Sequence, residues 1–290
     1  MARRLVACAA AALLALAGCG PFGSYAPAQD HSRFEGGALL PDRTVLFSFS
    51  RLVYRPATGI TAFPDGGIPK YLEDESLLGT YHIPSGELKI LRRERNTRWS
   101  QGQGRFGIQG VSGAMALVNQ GGQLRRDLAT NLVEHWLVDV GSGAATPVDW
   151  RTALAERGLA ATEVRLLDGR GTLLFVTVPL ADADRPRAAT DRRLWVRSAA
   201  GTFAEVARTE HYERVLGDEL VYWIPATRRY HAYHLVTGAT RELTEYRAPA
   251  YEDVIEGVIV DTGGAALSYG RKVGGAWHYE PIPLSADRLR

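Results

Sequence analysis

The sequence predicts an all-β fold: a propeller of about five four-stranded blades with one short interblade helix. Three observations carry that expectation, and the first is a repeated hairpin. In Tyr230 to Thr244, His231, Tyr233 and Leu235 fall on one strand face, Val236-Thr237-Gly238 reverses the chain, and Leu243 closes the returning strand. Tyr81 to Leu91 around Gly86, Val138 to Val148 around Gly143 and Val196 to Val206 around Gly201 fit the same template. Five residues before each glycine stands an apolar residue (Tyr81, Val138, Val196, Tyr233), and five after it another (Leu91, Val148, Val206, Leu243). Four before it the residue is polar every time: His82, Asp139, Arg197, His234. The second observation is spacing. Turn glycines 86, 143, 201, 238 and 275 lie 57, 58, 37 and 37 residues apart, and a blade of four short strands takes roughly 40 to 50. Five blades fit, or six if the strands before Tyr81 and after Tyr269 share in a closing blade. The third is texture: from Leu40 onward short apolar runs are interrupted by Gly, Pro, Asp and Ser, a strand-and-turn rhythm.

The elements follow in order. Arg43 to Phe49 alternates Thr44, Leu46 and Ser48 with Val45, Phe47 and Phe49, and a second strand continues through Leu52 to Arg55. Ala57 to Glu75, with Gly59, Pro64, Gly66, Gly67 and Pro69, reads as a long loop. Beyond the Gly86 hairpin come strands at Phe106 to Gly110, Ala114 to Val118 and Val133 to Val140. Asp149 to Gly158 is the helix: Asp149 caps it, Leu154 faces inward, and Gly158 permits a left-handed exit. Val164 to Leu167 and Leu173 to Val178 flank the turn Asp168-Gly169-Arg170-Gly171, and Tyr212 to Leu216 and Glu219 to Ile224 lead into the organising hairpin. A fifth, degenerate copy follows: Val254 to Val260, Ala265 to Tyr269 and Trp277 to Ile282 around Gly274-Gly275.

The chain opens M-A-R-R, runs apolar from Leu5 to Leu16 and then reads Leu16-Ala17-Gly18-Cys19. A run this short falls below the roughly 20 residues of a membrane span and has the order of a secretory signal peptide. Its last four residues resemble the lipobox of bacterial lipoproteins. The resemblance implies that Leu16, Ala17 and Gly18 are read by the signal peptidase and that Cys19 receives a diacylglyceryl group and an N-acyl chain such as palmitate. Several acyl chains anchor stably where one is marginal. Gly20, not an acidic residue, follows the cysteine, which in the enterobacterial sorting rule implies the outer membrane, with the protein facing the periplasm. Cys8 falls in the discarded leader, so no intrachain disulfide is expected. Losing Arg3 and Arg4 brings the formal charge from +2 to 0, which does not support a globally basic surface for nucleic acid. Gly20 to Gly37 reads as a flexible tether spanning about 25 Å, so the expected division is residues 1–18 signal peptide, 19–37 lipidated cysteine and tether, and 38–290 propeller.

Leu40-Pro41-Asp42-Arg43-Thr44-Val45-Leu46-Phe47 resembles the opening of the periplasmic propeller repeat of the Tol-Pal type, a WD-repeat-like family, with Arg43 in the place of the pattern's glycine. Leu235-Val236-Thr237-Gly238 with Leu243-Thr244 resembles its ending, and Leu137-Val138-Asp139-Val140-Gly141-Ser142-Gly143 has the aspartate in place. Such folds mostly bind proteins, peptides or small ligands, and fold alone does not fix function.

Chemistry-bearing patterns are few. His231 and His234, three apart on a strand, point to opposite faces and do not chelate one ion, and His82 matches His234 in position; no metal and no cofactor is expected. P-loop, H-E-x-x-H and G-x-S-x-G patterns do not occur. Carboxylates near strand ends (Glu134, Asp139, Glu163, Glu210, Glu213, Glu252, Asp253 and Glu256) offer the remaining route to catalysis, through two acids facing across a cleft. Exposed acids are the norm, however, and nothing in the sequence pairs these. Arg92, Arg93, Arg95 and Arg98 beside Trp99 form a basic, aromatic loop suited to an anionic partner, with a solvated strand end as the plainer reading. Trp136, Trp195 and Trp223 read as packing between blades. The sequence therefore points to a lipid-anchored periplasmic propeller acting as a binding scaffold for envelope proteins or ligands. The rivals are a propeller enzyme acting on glycans through two channel-facing carboxylates and a structural β-sandwich.

Overall fold

The computed structural model describes residues 25–57, 70–95, 105–120, 134–247 and 256–289. It is an all-β propeller of five antiparallel sheets. In the first, β1 (Gln29–Asp30) and β2 (Arg33–Leu39) run in tandem along one edge of β3 (Thr44–Arg55), followed by β4 (Lys70–His82) and β5 (Glu87–Arg95). The second holds β6 (Phe106–Ser112), β7 (Met115–Gln120), β8 (Glu134–Asp139) and β9 (Ala145–Pro147). The third holds β10 (Leu159–Leu166), β11 (Leu173–Pro179), β12 (Arg193–Arg197) and β13 (Phe203–Ala207). The fourth holds β14 (Tyr212–Leu216), β15 (Glu219–Ile224), β16 (Arg229–His234) and β17 (Thr240–Leu243). Three strands make the fifth: β18 (Glu256–Val260), β19 (Ala266–Val273) and β20 (Ala276–Ser285).

Alternation along the strands divides the apolar residues between neighbouring sheets. Leu46 and Leu78 of the first sheet meet Ala116, Val118 and Val138 of the second. Leu117 and Leu137 turn the other way, onto Leu173 and Phe175, and Leu174 and Val176 pack on Leu220 and Tyr222. The remaining face of the first sheet, with Val45, Phe47, Phe49 and Leu77, is covered by Leu267, Ile282 and Leu284 of the last. The last sheet thus lies beside the first, an arrangement a two-layer sandwich of sheets in chain order does not give. Phe34 on β2 lies at its centre, edge-on to Phe47 at 5.8 Å and Phe49 at 5.1 Å.

Strand direction identifies what the fifth sheet lacks. The first strands of sheets one to four run alike: Arg105 pairs with Glu35 at 2.9 Å at one end, and at the other Arg170 meets Asp218 at 2.7 Å between successive first turns. β18 runs opposite to β2, since the Phe34 N–H donates to the Gly264 carbonyl while Gly37 faces Val258. β18, β19 and β20 therefore take the second, third and fourth strand places of a blade. The inner place is empty among the described residues.

Three expectations need correction. The stretch read as a tether is structured from residue 25 onward and carries β1 and β2. Gly37 is a close-approach glycine: a Cβ there would come within 2.5 Å of Val258 Cγ1. The loop expected over Ala57 to Glu75 gives way at Lys70 to β4, because Tyr71, Glu73, Asp74 and Glu75 find cross-strand partners in Tyr54, Val53, Leu52 and Arg51. The helix is shorter than expected. It is α1 (Arg151–Ala155), with Trp150 rather than Asp149 at the cap, although the Asp149 carboxylate accepts from the Thr152 N–H at 3.4 Å. Leu154 is fully buried between the second and third sheets and Gly158 has φ 70°.

The hairpin template has a physical basis. Tyr81, Val138, Val196 and Tyr233 are all buried. The Gly86, Gly143 and Gly238 N–H groups donate to the carbonyls of His82, Asp139 and His234, four residues back, and those side chains cap the turns. Asp139 accepts from the Ser142 N–H at 2.8 Å, which holds its carboxyl below the ordinary aspartate value, and His234 Nδ1 accepts from Val236 and Thr237. In the third sheet Gly201 donates to Ser198, one residue closer, so that turn is shorter by one. Val196 accordingly faces the following sheet, whereas Val138 and Tyr233 face the preceding one.

Candidate cleft at the junction of first, second and last sheets

At the end of the sheets that carries the β2–β3 and β6–β7 turns lies a cleft of ≈ 770 Å³. One wall comes from those two turns, through Leu39, Leu40, Pro41, Arg43, Val111, Ser112 and Gly113. The other is a face of the last sheet. Glu256, Arg271 and His278 are direct partners across β18, β19 and β20, and Val258, Tyr269 and Glu280 form the next row. Partners opposite one another, and residues two apart, share a face. All six therefore project the same way. Val258, Val260 and Tyr269 pack against the core beneath, and beyond them the face turns polar and lines the cleft.

Arg271 Nε stands 3.3 Å from Glu256, and Tyr269 projects from the next row of the same face. Burial, and then Glu256, push the Tyr269 phenol up, while Arg271 and Arg43 act in the opposite sense. Arg43 has φ 63°, in the left-handed region that costs a residue with a Cβ. Its turn is secured by others. The Leu40 N–H donates to Thr44, and the Asp42 carboxylate accepts from the Thr44 N–H at 3.0 Å and hydroxyl at 2.9 Å, which lowers the Asp42 pKa. A second groove of ≈ 570 Å³ continues around Leu40 and Pro41 toward Asp42, His82, Glu87 and Lys89.

The basic run stands elsewhere. Arg92 pairs with Glu94 at 3.0 Å and lies over the Trp136 ring at 4.2 Å, and Arg93 and Arg95 both meet Glu75, at 3.2 and 3.4 Å. These three belong to β5 and line neither groove. Arg98 and Trp99 lie outside the described residues, as do Leu16, Ala17, Gly18, Cys19, Glu252 and Asp253. Of the described candidate acids, Asp139 caps a turn, Glu163 accepts from the Tyr212 hydroxyl at 2.7 Å, Glu210 pairs with Arg192, Glu213 accepts from Tyr230, and Glu256 alone lines the cleft. Sequence reasoning missed Glu280, Arg271, His278 and Tyr269, and it took Arg43 as a departure from a repeat rather than as part of a site. The signal for the sheet residues was alternation in β19 and β20, which the irregular fifth repeat obscured. His82 bonds Ser85 and His231 stacks on Tyr222, and among the described residues no group of three metal-ligating side chains converges.

On the opposite face of the last sheet, Trp277 and Tyr279 stack in parallel, 9° apart with centroids at 6.0 Å, and remain 41% and 57% exposed. They cover Gly270, where a Cβ would approach Tyr279 and Trp277 within 3.3 and 3.4 Å and Ile259 within 2.7 Å.

No protein-family model matches the chain, and no curated protein does. Among solved structures, an oligogalacturonate lyase from Vibrio parahaemolyticus is similar at 12% identity over 85% of this chain, with a TM-score of 0.36. This chain spans 65% of that protein's length. The β-propeller domain of the Trilobed protease from Pyrococcus furiosus is similar at 8% identity over 91% of this chain and 85% of its own, with a TM-score of 0.32. The fold assignment rests on the sheet order and packing described above.

Proposed function

We propose that the protein is a lipid-anchored binding scaffold of the bacterial outer membrane, facing the periplasm, that engages envelope proteins through the outer edge of its last sheet. The observation behind this reading is the exposed Trp277–Tyr279 stack on β20, a strand that pairs only with β19 among the described residues. Aromatic pairs left in solvent beside an unpaired strand edge supply contact area and main-chain partners together. Pro281 and Pro283 cannot donate, so the pairing segment is Ala276 to Glu280. The anchor follows from Leu16-Ala17-Gly18-Cys19, and Cys19→Ser is expected to release the protein from the membrane fraction. The test of binding is capture from solubilised envelope by the full chain and by its W277A/Y279A variant. A reproducible protein set lost with the variant supports the reading; an unchanged set removes it.

A second reading, action on glycans, draws on Glu256 and Glu280 sharing one cleft. They stand on strands two places apart in one sheet, roughly 10 Å across at the backbone, and on the same wall rather than facing each other. Glu256 is also engaged by Arg271. Release of reducing ends from a glycan panel, abolished by both E256Q and E280Q, would promote this reading.

A further inference from the structure

The turn between the first two strands of each of sheets one to four places a residue in the left-handed conformation, and at three of the four it is glycine: Gly113, Gly171 and Gly217. The exception is Arg43. Gly171 donates its N–H three residues back and precedes Thr172, as Arg43 does with Leu40 and Thr44, so the turn accepts glycine without rearrangement. Glycine would also adopt this conformation without strain. The exception coincides with the cleft, which Arg43 lines. None of the described ion pairs or side-chain hydrogen bonds engages the Arg43 guanidinium or the Glu280 carboxylate, and neither is among the residues with further unspecified partners. One cleft therefore holds a cation and an anion that are paired neither with each other nor with neighbours.

We propose that this cleft binds a short peptide with free termini. The Arg43 fork takes the terminal carboxylate, matching its two oxygens with parallel N–H donors. Glu280 takes the terminal ammonium, and Leu39, Leu40, Val111 and Val273 receive the side chains between. Arg271, locked to Glu256, keeps the wall in place. The cleft's size lies within the range of small-molecule sites, about 300 to 1,000 Å³, and is larger than a single amino acid fills. An isolated anion would leave Glu280 uncompensated, and an isolated amine would leave Arg43 so; a zwitterion satisfies both. The site is separate from the strand edge proposed above, because Trp277 and Tyr279 point to the other face of the sheet.

The test uses the full chain and a pool of the tripeptides Ala-X-Ala, with X each of the twenty amino acids, read by equilibrium binding up to millimolar concentration. At least one member is expected to bind, and its C-amidated or N-acetylated form to bind tenfold or more weakly. Arg43→Gly is expected to abolish binding while leaving the melting temperature equal to or above that of the parent. Arg228→Gly relieves the other described left-handed non-glycine residue, φ 54°, and is expected to leave binding unchanged. Glu280→Gln weakens the free peptide but not its N-acetylated form. The proposal is overturned if no member of the pool binds, if blocking the termini makes no difference, or if R43G keeps binding. A melting temperature lowered by R43G would also overturn it, because Arg43 would then serve the fold. W277A/Y279A is expected to leave tripeptide binding intact, so loss of the protein-binding reading does not decide this one.

Discussion

Gly37 gives the sharpest handle on the junction of the first and last sheets. A Cβ on Gly37 would lie 2.5 Å from Val258 Cγ1 and 3.2 Å from Val258 Cβ, whereas carbon atoms prefer about 3.5 to 4.0 Å. β2 and β18 would have to part by about 1 Å, and they sit over the core shared by the first and last sheets. Overpacking of this kind costs typically 1–3 kcal/mol, so Gly37→Ala is expected to lower stability by about 2 kcal/mol. Neighbouring Gly36 supplies the contrast. Its Cβ would meet only Ser48 Oγ, at 3.6 Å, and Gly36→Ala should be neutral or slightly stabilising, since it trims the freedom of the unfolded chain. Val258→Ala removes the clashing methyl and leaves a 3.2 Å contact that a small shift relieves. Alone it costs about 1 kcal/mol from lost burial; combined with G37A it should recover about 1 kcal/mol relative to the sum. Urea denaturation of the four variants and the parent reads all of this. Equal, small effects at positions 36 and 37, as a flexible tether would give, or strict additivity of G37A and V258A, would refute the packing of β2 on β18.

Further outcomes follow from packing and charge. Leu154→Ala empties a fully buried site between the second and third sheets and should cost about 2–5 kcal/mol, measured by the same denaturation. Tyr212→Phe removes the hydrogen bond to Glu163 that links the third and fourth sheets and should cost about 1 kcal/mol. At Asp168, burial by itself would raise the carboxyl pKa, but hydrogen bonds from the Thr172 and Arg170 backbone and side chains outweigh it and hold it below the ordinary value. The folded chain thus releases this proton more readily than the unfolded one. The stability so gained is complete above about pH 4, near the free aspartate pKa, and drains as pH falls below that. Asp168→Asn should therefore be less stable than the parent at pH 7 by about 1 kcal/mol after allowing for partial exposure, and the gap should close toward pH 2.

The first, second and fourth blades were legible because each repeats the same local solution: a buried residue, a polar cap and a left-handed glycine at fixed offsets. Val138 and Tyr233 show it directly, each buried against the preceding sheet beside a capped turn. Glycine is where the reading failed, because one residue type serves two ends. In Gly86 it supplies positive φ and in Gly37 it supplies room, and nothing local tells room from flexibility. The fifth blade hid for a related reason. Its last hairpin turns on Gly274 and Gly275 alone, with Val273 opposite Ala276, so the offsets of the longer turns no longer apply. Of the cleft, Glu256 alone was singled out from the sequence, and nothing there tied it to the rest. The cleft joins Arg43 to Glu280 across nearly the whole chain, and only the meeting of first and last sheets brings them together.

That same meeting sets a schedule for folding. In sheets one to four each sheet covers one face of the sheet before it, so these contacts are available in chain order. The outer face of the first, with Phe47, Phe49 and Leu77, waits for Leu267 and Ile282, about two hundred residues later. Until the C-terminal strands arrive, a continuous aromatic and aliphatic surface stands uncovered on the earliest part of the molecule, the circumstance in which partly folded chains aggregate. Truncation of the last sheet should therefore do more than remove three strands: it should leave the beginning of the protein permanently unfinished.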